Sequence, residues 1–363
     1  MTAALAGDSA DLSLPTALCW LAPSMMCDVT TASTPLPPAI CVLGAGLIGG
    51  SLIRAAADAV PVSAWSPSPT TRESVAADGF AVHDTLDAAL EGAGKAEALV
   101  VLAAPVTEFA PLIKAVDRVA PTVALTDVAG VKASVAELVD ELAPRARYVG
   151  SHPMAGTQHS GWAAGSADLF RDTAWVTCLT EDSDQDVWAA VAGLALTIGS
   201  RVVPVDADAH DAAVARISHL PHLLALTLAQ VGAGGGDLAL ALAAGSFADG
   251  TRVAASRPEL VRAMCEGNRG ALLTAVDDAL GILGVARGSL ASTGSLAKLT
   301  EAGHAGRLRL DQRGQNLHEV TLRGSDLIDE LLAVGAAGGY LTGLSTAGTE
   351  LVATAWYPID DDD

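Results

Sequence analysis

The fold is decided by one stretch of sequence, Val42-Leu43-Gly44-Ala45-Gly46-Leu47-Ile48-Gly49-Gly50-Ser51. It follows a short apolar run at 39–43 and opens a helical pattern over 47–59. Glycine allows a tight turn at Gly44, a close approach of backbone to ligand at Gly46, and close helix–strand packing at Gly49. The free N–H groups of the following helix favour a bound pyrophosphate. The pattern therefore predicts a dinucleotide site in this strand–turn–helix context. Its predicted residues are Gly44, Gly46, Leu47, Ile48 and Gly49.

Strand and helix signals alternate from this turn as far as residue 205. We predict strands at 39–43, 62–65, 81–83, 98–103, 122–127, 147–150, 175–178 and 201–205, with helices at 47–59, 70–78, 87–91, 106–119, 131–142 and 184–198. Strands separated by helices form parallel βαβ units. Residues 39–205 are thus predicted to form an α/β Rossmann domain with a doubly wound parallel sheet.

Strand signals disappear after about residue 206. Alanine- and leucine-rich helical segments follow at 208–231, 236–246, 258–283 and 307–333. We predict an all-α domain over 206–335 and a tail over 336–363. Residues 1–38 end in a proline-rich linker and are predicted to be a disordered leader. Alternatively, the true start of the protein is Met25 or Met26.

Composition excludes several classes of protein. The formal net charge of −21 argues against nucleic acid as a partner. The apolar stretch at 12–26 lacks the positive flank of a secretory signal, and we expect no membrane span elsewhere. Five scattered cysteines without a CxxC pair indicate thiols in a reducing compartment. A cytoplasmic protein is expected.

The end of the second predicted strand bears on the choice of cofactor. Ser66 stands where an acidic residue would hold the ribose 2′-OH of NAD. Ser66, Ser68 and Arg72 could instead donate to a 2′-phosphate, which favours NADP, or use of both cofactors. Arg72 is equally compatible with a solvated helix face. Three residues that follow or end neighbouring strands complete the predicted cofactor set: Ala104, Pro105 and Asp127.

Several histidines and one arginine are the candidate catalytic and substrate-binding residues. His152, in Gly150-Ser151-His152-Pro153, follows a strand and suits a general base, although a structural histidine fits the pattern as well. His219 and His222 lie three residues apart on a helix that Pro221 is predicted to kink. They could line a pocket or form a buried pair. A metal site would need Asp206, Asp208, His210, His219 and His222, whose spacing fits no familiar pattern. Arg252 could clamp a carboxylate or form a surface ion pair.

Together these clusters resemble the prephenate/arogenate dehydrogenase family of tyrosine biosynthesis. The resemblance rests on VLGAGLIGGSL at 42–52, LTDVAGVK at 125–132, GSHPMAGTQHSG at 150–161, HDAAVARISHLPH at 210–222 and FADGTR at 247–252. It spans roughly residues 39–330. It implies a homodimer that binds NAD(P) and a small substrate and requires no metal.

The resemblance also implies roles for single residues. His152 would accept the proton of the substrate hydroxyl, and Arg252 would bind a substrate carboxylate with Asp249 positioning it. The remaining substrate residues are His219, His222, Thr157 and Gln158. The reaction implied is oxidative decarboxylation of prephenate to 4-hydroxyphenylpyruvate, with arogenate, which would give tyrosine directly, as the alternative substrate.

Three positions depart from the family pattern. Gly130 stands where the family often has a serine whose hydroxyl reaches the catalytic histidine. Gln158 replaces a glutamate that would suit the ammonium group of arogenate, which favours prephenate. Val261 replaces an aromatic residue. Two other classes of protein are compatible with parts of the pattern. β-Hydroxyacid dehydrogenases and imine reductases share the architecture, but the former typically use a second-domain lysine, and only Lys298 follows residue 132. A dinucleotide-sensing regulator would need no base at position 152.

Overall fold

A computed structural model describes residues 33–157, 159–348 and 350–358. Most of the predicted leader, the substrate residue Gln158 and the acidic end of the chain lie outside the described residues.

The first sheet is parallel throughout. Its strands are β1 (Ile40–Leu43), β2 (Val62–Trp65), β3 (Ala81–Val82), β4 (Leu99–Leu102), β5 (Ala124–Asp127) and β6 (Arg147–Val149), in the order β3-β2-β1-β4-β5-β6. The helices between them are α1 (Leu47–Ala56), α2 (Pro69–Ala77), α3 (Leu86–Lys95), α4 (Phe109–Val119) and α5 (Ala133–Leu142). Strands β1 and β4 are buried at every position because helices cover both faces. The strand order reverses between β1 and β4, which places a ligand crevice at their carboxyl ends.

The six strands of the first sheet confirm the predicted doubly wound parallel sheet, but the strands predicted at 175–178 and 201–205 belong to a second sheet. Its strands are β7 (Ser151–Pro153), β8 (Ala174–Cys178), β9 (Arg201–Val205), β10 (Leu317–Arg323), β11 (Tyr340–Ala347) and β12 (Glu350–Pro358). They run in the order β10-β12-β11-β9-β8-β7, and α6 (Gln185–Thr197) connects β8 to β9. The chain leaves the first sheet at Gly150, so β8 and β9 extend a different sheet.

The C-terminal segment is also different from the prediction. Residues 336–363 were predicted as a tail, and 307–333 as a helix, but β10, β11 and β12 form antiparallel pairs there. Leu341, Leu344 and Ala353 are buried, so the hairpin completes the hydrophobic core beside β9. The glycines at 338–339 mark the entry to a strand and not the end of the fold.

The remaining helices follow β9; all but the last lie between β9 and β10, and the last lies between β10 and β11. They are α7 (Ala207–Val214), α8 (Leu220–Gly234), α9 (Gly236–Ala241), α10 (Gly245–Thr251), α11 (Pro258–Gly267), α12 (Arg269–Ser292), α13 (Ala297–Asp311) and α14 (Leu327–Ala336). A π-helical turn, Ala215–His219, joins α7 to α8. The predicted distortion is therefore present just before Pro221, whose missing N–H disrupts the ladder.

The helical region exposes many large apolar side chains. The most exposed are Ile217, Val231, Leu238, Leu242 and Val285. Among the described residues, the segment Ala207–Gly234 is long and apolar enough to cross a membrane by length and composition alone. It also buries His210, Asp211 and His219 against protein, and polar groups of this kind are costly in lipid.

Candidate active site

The glycine turn has the geometry that the sequence predicts. Gly44 has φ of +114°, and a Cβ there would lie 2.7 Å from the carbonyl oxygen of Ala103. A Cβ on Gly49 would lie 1.9 Å from the carbonyl oxygen of Gly44, so the helix can pack here only without a side chain. A Cβ on Gly46 would meet no atom within 4 Å. Gly46 is therefore not required for packing, and its bare backbone is left for a ligand.

This contrast predicts different outcomes for two alanine variants. Gly46→Ala should fold normally and bind the dinucleotide at least about tenfold more weakly, because the new methyl group occupies ligand space. Gly49→Ala should lose about 3 kcal/mol or more of unfolding free energy from the steric clash. Thermal unfolding and cofactor titration measure the two effects. Equal stability of the two variants would contradict the assigned roles.

A cavity of about 460 Å³ opens beside the glycine turn. Its lining includes Gly44, Gly46, Ser66, Ala104 and Pro105, so these predicted cofactor residues share one site. Leu47 and Ile48 begin α1, whose N-terminus has no side-chain cap and keeps its N–H groups free. The residues present therefore fit a dinucleotide, with the pyrophosphate at this helix N-terminus.

The loop after β2 holds a guanidinium in place. Arg72 donates from Nη1 to the carbonyl oxygens of Ser66 at 2.7 Å and Pro67 at 3.3 Å. The Ser68 hydroxyl caps α2 by accepting from the N–H of Thr71 at 3.2 Å. Arg72 is thus fixed at the end of β2 and is not a freely solvated helix residue.

Asp127, predicted to bind the cofactor, has a carboxylate that contacts protein groups. It is fully buried, and its carboxylate forms an ion pair with Lys132 and accepts from Tyr148 Oη at 2.6 Å and Ala129 N at 2.7 Å. Burial, and then the Asp127 charge, raises the pKa of Tyr148. Because its acceptors are engaged by protein, Asp127 holds the loop 127–132 in shape. In the sequence, the acid and the lysine on either side of the turn in LTDVAGVK are the signal that could have indicated this ion pair.

His152 lies on β7, just after the chain changes sheets. Its Nδ1 is 2.9 Å from Nε2 of His210. Its opposite edge faces Gly130, where an added Cβ would lie 3.6 Å from Cε1 and 3.7 Å from Nε2. Burial lowers the pKa of His152 well below its ordinary value, and His210, Lys132 and His219 lower it further. The ring is therefore neutral near pH 7, as a proton acceptor must be.

The sequence patterns assign no catalytic role to His210 or Asp211. Both are buried, and His210 Nδ1 lies 2.8 Å from Asp211 Oδ1. The Asp211 carboxylate also accepts from the backbone N–H of Lys132 at 2.9 Å and Ala133 at 3.0 Å, at the start of α5. The adjacent His-Asp pair at the start of the helical region was the signal that could have identified them.

His219 and His222 are the other two histidines of the predicted substrate site. His219 is buried, with Nδ1 3.2 Å from Asn268 Nδ2. Burial lowers its pKa to about 4; His210 and His222 also lower it, while Asp211 opposes the shift. His222 is half-buried, and its Nδ1 has no hydrogen-bond partner in the described part of the chain. Burial also lowers the pKa of His222, and nearby Arg252 contributes to the shift.

The remaining predicted substrate residues lie at the surface. Arg252 and Asp249 are both exposed, and they form no ion pair within the described residues, so the predicted positioning of Arg252 by Asp249 is absent from the single chain. Thr157 is exposed, and its Oγ1 accepts from the N–H of His159 at 3.2 Å. Across the ranges described, no three His, Cys, Asp or Glu side chains form a candidate metal site.

Two family models match the chain. The prephenate dehydrogenase nucleotide-binding domain matches residues 50–204, and the prephenate dehydrogenase dimerization domain matches residues 206–285. A cyclohexadienyl dehydrogenase of Zymomonas mobilis is 32% identical over 261 residues, covering 70% of this chain and 88% of that protein.

Solved structures agree with the family models. A protein of Corynebacterium glutamicum, provisionally assigned as a prephenate dehydrogenase, is 44% identical with a TM-score of 0.74, covering 77% of this chain and 90% of that one. An arogenate dehydrogenase of Synechocystis is 28% identical with a TM-score of 0.65, covering 75% of this chain and 99% of that one. Family models and relatives agree, and the chain belongs to the prephenate dehydrogenase family of NAD(P)-dependent oxidoreductases.

Proposed function

We propose that the enzyme converts prephenate to 4-hydroxyphenylpyruvate and CO₂ in tyrosine biosynthesis, in the cytoplasm. The observation that carries the proposal is the neutral His152, whose free ring edge faces the loop of Gly130. A cyclohexadienol needs one base for its hydroxyl proton and one hydride acceptor. Aromatisation of the ring supplies the driving force, so the chemistry requires no metal.

Each group has one task in this reaction. The bound nicotinamide supplies the hydride acceptor for the hydrogen on ring C4. His152 accepts the C4 hydroxyl proton, and the hydroxyl oxygen becomes the carbonyl of a dienone. The bond from C1 to its carboxylate then breaks, and its electron pair completes the aromatic ring as CO₂ departs. The phenolate oxygen formed at C4 takes back the proton from His152, which returns the ring to its neutral form. Arg252, His219 and His222 are suited to hold the two carboxylates of prephenate.

The choice of prephenate over arogenate rests on position 158. Gln158 offers a neutral amide where a carboxylate would attract the ammonium group of arogenate. Arogenate remains the second candidate because one similar structure is an arogenate dehydrogenase. Initial rates with prephenate and arogenate, each with NAD and NADP, test the proposal. Faster turnover of arogenate than of prephenate would contradict the proposed substrate. No turnover of either compound would contradict the proposed function.

We further propose that NADP is the preferred cofactor. Ser66 lines the cavity, no acidic side chain follows β2 before Glu73, and the Arg72 guanidinium is held beside Ser66. Ser66→Asp should shift the ratio of kcat/KM values toward NAD by about tenfold or more, because a carboxylate would repel the 2′-phosphate. Ser66→Ala is the control, since it removes the hydroxyl without adding charge. If Ser66→Asp leaves the ratio of kcat/KM values for the two cofactors unchanged, the 2′-phosphate does not bind beside Ser66.

The environment of His152 predicts the acid side of the pH profile. The base must be neutral, and burial with three cationic or ionisable neighbours holds its pKa below 6.5. We therefore expect kcat/KM to stay constant as the pH falls through 6.5 and to decline only below the lowered pKa. An acid limb centred at or above pH 6.5, in a profile corrected for protein unfolding, would contradict this expectation.

A homodimer is the proposed assembly. The exposed apolar side chains lie between residues 217 and 310, and the dimerization-domain match covers 206–285. Apolar patches of this extent mark association surfaces. Sedimentation should give twice the mass of the chain, and a monomer at micromolar concentration would contradict the proposal.

A further inference from the structure

Three side chains from two parts of the fold form a hydrogen-bonded line that ends on His152. His152 Nδ1 meets His210 Nε2 at 2.9 Å, and His210 Nδ1 meets Asp211 Oδ1 at 2.8 Å. His152 comes from β7, whereas His210 and Asp211 come from α7. The two histidine rings cross at 78°, with centroids 5.1 Å apart. His210 and Asp211 are buried.

The Asp211 carboxylate is anchored as an acceptor. Its Oδ1 accepts from Lys132 N at 2.9 Å and its Oδ2 from Ala133 N at 3.0 Å, so it caps the N-terminus of α5 from another helix. Asn268, which lies between α11 and α12, donates from Nδ2 to the Asp211 backbone carbonyl at 2.7 Å and fixes the residue in place. Burial raises the pKa of Asp211, but the bonds from His210 and from the two backbone N–H groups outweigh it and hold the pKa below its usual value. The carboxylate is therefore ionised and can only accept.

The positions of the protons follow from that acceptor. His210 must place its proton on Nδ1 to donate to Asp211, which leaves a lone pair on Nε2. His152 must then place its own proton on Nδ1 to donate to His210. The lone pair of His152 is thereby restricted to Nε2, on the ring edge that faces Gly130.

We propose that His210 and Asp211 are positioning residues that hold His152 in its Nδ1-protonated tautomer and keep Nε2 as the proton-accepting atom. The inference rests on the proposed role of His152 as the base. Asp211 sets the tautomer of His210, and His210 transmits it to His152. The line also keeps the hydrogen bond at Nδ1 when His152 becomes an imidazolium, so the ring does not rotate during turnover.

The tautomer can be measured without substrate. NMR of the ring nitrogens in isotopically labelled protein should show His152 protonated at Nδ1 and bare at Nε2 at neutral pH. In His210→Phe, which keeps a ring but removes the acceptor, His152 should become a mixture of tautomers. Wild-type protein with His152 protonated at Nε2 would overturn the inference, whatever the substrate is.

Kinetics supply the second readout. His210→Phe should lower kcat by about 10²-fold or more while the cofactor Kd and the substrate KM change little, because a wrongly placed proton impairs the base and not binding. Asp211→Asn should lower kcat similarly if it folds. Asp206→Asn is the matched control on the same helix, where Asp206 only caps α7 through Ala209 N at 2.7 Å. Full kcat in folded His210→Phe would overturn the inference.

The two proposals fail in distinguishable ways. If His152→Asn retains normal turnover, the role of His152 as the base is wrong, yet the NMR result still decides whether the line fixes its tautomer. If His152→Asn is inactive and His210→Phe is fully active, the role of His152 as the base is supported and the positioning role of His210 is wrong.

Discussion

Replacing His152 by Asn is expected to reduce kcat by about 10²–10⁴-fold and to leave cofactor affinity nearly unchanged. The asparagine side chain can keep a hydrogen bond to His210 but cannot accept a proton near neutral pH. His152 lies on β7 and is absent from the lining of the dinucleotide cavity, so cofactor binding should survive. Steady-state kinetics and cofactor titration on the same preparation measure both quantities.

His159→Asn is the matched control for this experiment. His159 lies seven positions further along the same segment, and its ring is exposed. The His159 backbone forms hydrogen bonds with Thr157 Oγ1. Its substitution should leave kcat unchanged. Normal turnover in His152→Asn, or an equal loss in both variants, would remove His152 from the chemistry.

Breaking the buried ion pair of Lys132 is expected to produce the largest loss of stability. Lys132 is 1% exposed; its Nζ pairs with Asp127 and donates to the Ser151 carbonyl at 2.7 Å. Lys132→Met keeps the volume but leaves the Asp127 carboxylate uncompensated in the core. The unfolding free energy should fall by about 3–5 kcal/mol. Because Ser151 precedes His152, kcat should fall as well.

Two further variants separate the causes of that loss. The double variant Lys132→Met, Asp127→Asn should recover part of the stability, because it removes the unpaired charge. Arg118→Met breaks the exposed pair with Asp87, which should cost much less than breaking the buried pair because solvent screens exposed charges. Denaturant unfolding of all three variants tests the comparison. Equal losses of unfolding free energy from Lys132→Met and Arg118→Met would show that the cost of breaking an ion pair does not depend on its burial.

The parallel sheet and the glycine turn could be predicted because local patterns determine them. A glycine at positive φ, a bare helix N-terminus and buried apolar strands each leave a signal within a few residues. The strand at Val62–Trp65 and the distortion before Pro221 were predicted on the same grounds, and the structure has both.

Local patterns fail where distant residues decide the outcome. Strands β11 and β12 are stable because they pair with each other and reach β9, a contact across more than a hundred residues of chain. Asp127 was read as a cofactor residue because the end of a strand is a common ligand position, whereas Lys132 and Tyr148 occupy its carboxylate. The contact of His152 with His210 joins residues 58 apart in sequence, and no local pattern reveals it.

The most direct test follows the hydrogen on ring C4 of the substrate. Prephenate carrying deuterium at C4 should transfer the label to the reduced nicotinamide, with CO₂ and 4-hydroxyphenylpyruvate formed in equal amounts. His152→Asn should slow label transfer and CO₂ release together. Release of CO₂ without label in the cofactor, or loss of the label to water, would contradict hydride transfer assisted by His152.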